Sequence, residues 1–113
     1  MATFTKKMLS GSVNGLPILV SAIATPGTLI HTAVAGVTSS DEIWLYVTNN
    51  HTSAVNLTLE WGGSTQVIRL SIPVKAGLTL VIPGFALQNG LVVRAFAEVT
   101  NVILVFGYVH RIE

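Results

Sequence analysis

The residues that could carry out acid–base or nucleophilic chemistry are few and far apart in this sequence. Three histidines, His31, His51 and His110, accompany five carboxylates. A serine hydrolase needs a serine, a histidine and a carboxylate in contact, often with the serine in a G-x-S-x-G turn. Ser12 is not followed by x-Gly, and Ser64 belongs to a predicted hairpin turn. We therefore predict that the protein is not an enzyme and has no catalytic residues.

Metal and cofactor motifs are also missing from the sequence. It has no cysteine, and none of its histidines has a second ligand at a spacing typical of zinc sites. No phosphate-binding G-x-x-x-x-G-K-[ST] loop occurs, and Gly62-Gly63 precedes no predicted helix. We predict no metal and no cofactor, with the histidines in surface or packing positions.

Trp44, Tyr46 and Trp61 are the side chains that would suit a sugar-binding platform, because sugars stack on open aromatic rings. These three residues lie within predicted strands, and aromatic residues at strand spacing mostly fill cores. We therefore expect them in the core. An exposed cluster of these rings would instead favour glycan binding.

The overall composition favours assembly over a solitary monomer. The 113 residues are enough for one domain, but only 10% of them are charged and 50% are hydrophobic, whereas soluble domains average about 25% charged residues. The formal net charge of +1 gives no reason to expect nucleic acid or a membrane surface as a partner. Since so few charges cannot cover the surface of a monomer, we expect a homo-oligomer.

Short apolar runs alternate with turn residues, and no apolar pattern keeps a helical period over three turns. About eight strands are predicted, over Ile18–Ala24, Thr28–Val34, Glu42–Thr48, Val55–Trp61, Gln66–Ile72, Leu78–Ile82, Leu91–Ala97 and Val102–Arg111. Turn residues such as Ile82-Pro83-Gly84 and Gln88-Asn89-Gly90 separate them. This pattern predicts an all-β fold, an antiparallel β-sandwich or jelly roll.

Alternation with a period of two residues assigns one face of each strand to the core. The predicted core residues are Ile43, Leu45, Val47, Leu57, Leu59, Ile68, Leu70, Leu80, Val93, Leu104 and Phe106. The last strand, Val102–Arg111, is apolar on both faces. Its second face needs a cover, which we expect to be another subunit.

Residues 1–14 precede the first predicted strand, and we predict that they form an extended N-terminal arm beside a single domain over residues 15–113. They lack the apolar run of roughly 7–15 residues that a secretory signal needs, so we expect synthesis in the cytoplasm. An arm of this kind can dock on a neighbour. The candidate partner-binding residues are Phe4, Lys6, Lys7, Met8 and Leu9.

Several segments together resemble small virion proteins of tailed bacteriophages, of the capsid decoration or cement type. The resemblance covers most of the chain. It is carried by FTKKMLSGS, ATPGTLIHTAV, DEIWLYVTN, LTLEWGG, IPVKAGLTLVIPGFALQNGLVVRAFA and NVILVFGYVHRI.

This resemblance implies a β-sandwich that assembles into trimers or related oligomers on the outer surface of an icosahedral head. There it would bind the major capsid protein and hold neighbouring capsid subunits together, without a cofactor. Similar small β modules also build head fibres and tail parts. The alternative is therefore a head-fibre or tail component that binds a receptor or a glycan.

Overall fold

The computed structural model describes residues 3–75 and 77–113, and every regular element in these two ranges is a β-strand. Within them, no helix is long and apolar enough to cross a membrane. The predicted all-β class is confirmed. The nine strands are β1 (Phe4–Met8), β2 (Ile18–Leu19), β3 (Thr28–Thr32), β4 (Ser40–Asn49), β5 (Val55–Trp61), β6 (Val67–Ile72), β7 (Thr79–Leu87), β8 (Val92–Ala97) and β9 (Ile103–Ile112).

The strands form two antiparallel sheets that pack face to face as a sandwich. Sheet A has the order β1-β9-β4-β7, and the two-residue β2 also pairs with β9, beyond the end of β1. Sheet B has the order β3-β8-β5-β6. The inner face of a sheet is the one that meets the other sheet, and the outer face is the opposite one. Strands β4 and β9 pair over ten residues each and form the centre of sheet A.

The core lies between the two inner faces. Six predicted core residues are fully buried there: Ile43, Leu45, Val47, Leu57, Leu59 and Val93. Leu70 is half-buried at the edge of the same core. Other buried apolar residues are Leu9, Ile18, Val20, Ile30, Ala33, Val55, Ile72, Ile82, Ala95, Ala97, Ile103, Val105 and Val109.

Four predicted core residues lie elsewhere. Leu104 and Phe106 point outward, because β9 turns Ile103, Val105 and Val109 inward instead. Both alternating sets of β9 are apolar, so the period of two could not show which set faces the core. The other two, Ile68 and Leu80, lie on edge strands and are 36% and 44% exposed.

Strand β7 continues through the predicted turn at Ile82-Pro83-Gly84, so that turn is wrong. Proline is tolerated here because β7 is an edge strand, and its missing N–H removes no bond from the interior of the sheet. The register against β4 shifts twice, and at one shift Gly84 takes a φ of 85°. The turn at Gln88-Asn89-Gly90 is as predicted, with positive φ at Asn89 and Gly90.

The N-terminal segment is part of the sandwich and not a separate arm as predicted. Residues Phe4–Met8 pair with β9, and Leu9 is buried in the core. The backbone N–H of Gly11 then donates to the carbonyl of Ile30 in β3, at 3.0 Å. Met1 and Ala2 lie outside the described residues. The strand was not predicted because its own side chains are mostly exposed. The buried apolar residue of this segment, Leu9, comes after the strand.

Candidate functional site

The outer face of sheet A carries a group of aromatic side chains on its two central strands, β4 and β9. By register, Tyr46 of β4 lies opposite Phe106 of β9, and Trp44 lies opposite Tyr108. His110 follows on β9. These five residues, named here the aromatic face, are each half-buried. Adjacent strands put the rings side by side in two rows, because every second residue of a strand points to the same face.

Trp44 and Tyr108 form the centre of the aromatic face. Their rings are stacked, with centroids 6.2 Å apart and an angle of 15° between planes. The indole of Trp44 also lies on the backbone of β7, since a Cβ added to Gly84 would be 2.8 Å from Cζ2 of Trp44. The missing side chain of Gly84 leaves the space that the indole occupies.

Polar groups border one end of the aromatic face. The Nε1–H of Trp44 donates to Oε1 of Glu42 at 3.2 Å, and Nδ1 of His110 is 3.5 Å from the same oxygen. The Nζ of Lys6 lies 4.4 Å from the centroid of the Tyr108 ring, which is a cation–π geometry. The rings therefore have an acidic, a basic and an imidazole group within reach at this end.

Exposed apolar side chains extend the aromatic face toward the edges of sheet A. Phe4 pairs by register with Ile112, Met8 with Tyr108, Leu19 with Leu104 and Leu80 with Tyr46, so all of them share the outward side. Phe4 is 70% exposed and Met8 is 58% exposed. The outer face of sheet A is thus apolar over most of its width.

The five predicted partner-binding residues are divided between environments. Phe4, Lys6 and Met8 lie on the outer face of sheet A, beside the aromatic face. Lys7 is exposed but alternates to the other side, opposite Val109. Leu9 is 2% exposed in the core, so in this fold its side chain cannot contact a partner.

The prediction that Trp44, Tyr46 and Trp61 fill the core is wrong for the first two. In β4 the buried residues are Ile43, Leu45 and Val47, and the aromatic pair takes the outward positions. Trp61 lies on β5 in the other sheet and packs half-buried against the core. The three rings therefore do not form one cluster, and the partners of Trp44 and Tyr46 come from β9.

A buried polar network joins the two sheets at one end of the sandwich. Arg111 of β9 donates from Nε to Oδ1 of Asp41 in β4 at 2.7 Å, and from Nη2 to Oδ2 at 3.0 Å. His31 of β3, in sheet B, lies with Nε2 at 2.7 Å from Oδ2. Asp41 is fully buried and His31 is 1% exposed. A bulge in β3 between Leu29 and His31 turns this histidine inward.

The charge of Asp41 is stabilised within this network. Burial raises the pKa of the Asp41 carboxyl, but the hydrogen bonds from Arg111 and His31 more than offset this effect, and the pKa lies below its ordinary value of 3.8. The hydrogen bond to Asp41 in turn raises the pKa of Arg111. The backbone N–H of Val34 donates a further hydrogen bond to Oδ2 of Asp41 at 3.1 Å.

Ser10, His31 and Asp41 come together in the manner of a hydrolase triad, but their hydrogen bonds differ from one. The backbone N–H of Ser10, and not its hydroxyl, donates to Nδ1 of His31 at 3.0 Å. The hydroxyl oxygen instead accepts from the backbone N–H of Thr32 at 2.6 Å. A catalytic histidine would have to bond the nucleophilic Oγ. The network fastens the N-terminal segment to β3 and β4, which sequence spacing could not show.

Comparison of the chain with protein-family models found no match, and comparisons with curated proteins and with solved structures also found none. Within residues 3–75 and 77–113, no group of three or more His, Asp or Glu side chains is placed to hold a metal ion. The aromatic face and the exposed apolar side chains that extend it are the candidate functional site, because a contiguous exposed apolar surface commonly marks an interaction site.

Proposed function

We propose that this protein is a structural component of a bacteriophage virion, which self-associates through the outer face of sheet A and decorates the capsid as an oligomer, in the form of a trimer. The observation that carries this proposal is the aromatic face, with its apolar extension by Met8 and Leu19. The resemblance of the sequence to capsid decoration proteins supplies the location on the particle.

The apolar character of this surface supports association. Soluble monomers rarely expose large contiguous apolar patches, and such patches commonly mark interaction sites. Trp and Tyr are also enriched in the residues that dominate binding energy at interfaces. The inner face of β9 is covered by the core. A neighbouring subunit that packs on Phe106 and Tyr108 would cover its outer face, which is also apolar.

The border formed by β1 suits the attachment of the oligomer to the capsid. Phe4 offers a large exposed ring and Lys6 offers a cation on the outward side of this strand, and Lys7 is exposed on its other side. The major capsid protein would bind here through apolar contacts and acidic groups. Because β1 is an edge strand of sheet A, it lies at the rim of the proposed subunit interface when a neighbouring subunit covers β4 and β9.

Imaging tests the location directly. Purified particles of the phage that encodes the chain should show a density that fits the sandwich at regular positions on the head lattice. Particles that lack the gene product should lose this density and regain it when purified protein is added. Absence of the chain from the head lattice would overturn the capsid proposal.

A second candidate function is glycan or receptor binding by a head-fibre or tail component. The observation that favours it is the stacked Trp44–Tyr108 pair beside Glu42 and His110, since sugar sites combine aromatic rings with a few polar groups. Titration with neutral and acidic oligosaccharides, followed by tryptophan fluorescence, distinguishes the two functions. Saturable binding that is lost in Trp44→Ala would favour the glycan function.

A further inference from the structure

Three edges of the two sheets are protected against additional strands, and β6 is not. Natural sheets protect their edges with lysines, prolines, bulges or covering segments. The edge strand β1 carries Lys6 and Lys7, while β7 contains Pro83 and two register shifts. The edge of β3 is covered by residues 10–11, which bond to Ile30 and Thr32.

Within the described residues, strand β6 has no bulge and no covering segment, and its single charged residue is Arg69. It runs for six residues, Val67–Ile72, without proline or lysine, and its register with β5 is regular from Val55 to Glu60. In the described part of the chain, β6 pairs only with β5.

The hydrogen-bond pattern shows which backbone groups of β6 are free. The N–H of Trp61 donates to the carbonyl of Gln66 at 2.8 Å, across the hairpin that joins β5 to β6. Antiparallel pairs alternate between bonded and non-bonded positions. Ile68, Leu70 and Ile72 therefore point their backbone groups toward β5. Val67, Arg69 and Ser71 point theirs toward the open edge.

The side chains along this edge define what an added strand must offer. On the inner side, Ile68 is 36% exposed although its register partner Leu59 is fully buried, so its apolar surface is incompletely covered. On the outer side, Arg69 lines a shallow depression together with the polar side chains of Asn56, Thr58 and Ser71. Within residues 3–75 and 77–113, the ion pairs do not include Arg69.

We propose that β6 binds an extended segment of a partner protein, which adds to sheet B as a fifth strand antiparallel to β6. The segment alternates apolar and polar residues and places a glutamate or aspartate opposite Arg69. Its apolar residues cover Ile68 and Leu70, and its backbone bonds Val67, Arg69 and Ser71. This mode of recognition takes affinity from backbone hydrogen bonds and specificity from alternate side chains. The proposal concerns the other sheet and does not rest on the proposed function.

A synthetic peptide tests this proposal on the full-length protein. The peptide is Val-Thr-Val-Glu-Val-Thr-Val with blocked ends, and isotope-labelled protein is titrated with it by NMR. We expect the amide signals of Val67, Arg69 and Ser71 to shift and to gain protection from hydrogen exchange. Replacing the glutamate of the peptide by lysine should weaken binding roughly three- to fivefold, because like charges then face each other across the strands.

Two controls isolate the backbone contacts. Methylation of the glutamate nitrogen removes an N–H that would face β6, and it should abolish binding. The valine that precedes the glutamate has an N–H that points away from β6. Methylation of this valine nitrogen should leave measurable binding. Arg69→Ser should reduce the preference for glutamate over lysine without changing the circular dichroism spectrum of the protein.

Three outcomes would overturn the proposal: shifts confined to strands other than β6, equal effects of the two methylations, or shifts of the β6 signals with protein concentration alone. The last would show that a second copy occupies the edge. A failure of the protein to oligomerise would leave these results unaffected, since a monomer presents the same edge.

Discussion

Arg111 and Asp41 are register partners on β9 and β4, and they are joined by two hydrogen bonds of 2.7 and 3.0 Å. The carboxylate is fully buried, whereas the side chain of Arg111 is 22% exposed. Removing one member of a buried ion pair leaves the other charge without compensation, which costs several kcal/mol. The contribution of this ion pair to the free energy of unfolding can therefore be measured by substituting either residue.

We predict that Asp41→Ala lowers the free energy of unfolding by about 3 kcal/mol, because Arg111 and His31 both lose their acceptor. Arg111→Ala should cost a similar amount, about 3 kcal/mol, because it leaves the fully buried carboxylate of Asp41 without its compensating charge. Urea unfolding followed by circular dichroism measures both changes. Glu42→Ala on the neighbouring outward position is the matched control and should change stability by less than about 0.5 kcal/mol. Equal effects of Asp41→Ala and Glu42→Ala would contradict this assignment.

The lowered pKa of Asp41 predicts a specific dependence of stability on pH. A carboxyl whose pKa is lower in the folded than in the unfolded protein contributes stability above its unfolded pKa, and this contribution is lost as the pH falls through the folded pKa. The network should therefore be intact above about pH 5 and weaken as the pH falls below about 4, near the ordinary pKa of an aspartate carboxyl. Unfolding free energies of the wild type and Asp41→Asn, measured at pH 6 and pH 3, check this. The difference between the two proteins should shrink at pH 3, and a constant difference would be inconsistent with the network.

Gly84→Ala should displace the indole of Trp44. The new Cβ would lie 2.8 Å from the ring and would sit at a φ of 85°. We expect a loss of about 1–2 kcal/mol in unfolding free energy and a change in the near-ultraviolet circular dichroism of the tryptophan. Gly36→Ala is the control, because its φ of 81° is similar but no atom lies within 4 Å of the added Cβ. If both variants give the same near-ultraviolet spectrum as the wild type, the indole does not rest on Gly84.

Leu9 anchors the N-terminal segment, so Leu9→Ala should destabilise the protein by about 2–4 kcal/mol. The nearby Lys7 is exposed and lies on the side of β1 that faces away from the aromatic face, so Lys7→Ala should be nearly neutral. Chemical denaturation of the two variants gives the comparison. A neutral Leu9→Ala would instead support a segment that is independent of the core. For the same reason, deletion of residues 1–10 should destabilise the domain, contrary to the behaviour expected of a free arm.

The sequence predicted the fold class and most strands because period-two alternation and turn residues are local signals. The strand Val55–Trp61 was predicted with its observed bounds, and the Asn89-Gly90 turn has the predicted positive φ. The face of β9 could not be predicted, because both of its alternating sets are apolar.

The candidate site depends on information that is not local. The aromatic face arises because β4 and β9, which are about 60 residues apart in the chain, pair so that Trp44 meets Tyr108. The buried position of His31 depends on a bulge in β3, and a bulge has no distinctive residue pattern in this segment. Predicting these contacts requires the strand order, which the sequence patterns do not specify.

Light scattering on a matched pair of variants tests most directly whether the protein assembles through the outer face of sheet A. Phe106→Lys places a charge on the aromatic face, and Thr58→Lys places the same charge on the outer face of sheet B. The wild type and Thr58→Lys should have the mass of a trimer, three times the monomer mass of 12.0 kDa. Phe106→Lys should have the monomer mass with an unchanged circular dichroism spectrum. A monomeric wild type at micromolar concentration, or a trimeric Phe106→Lys, would contradict assembly through this face.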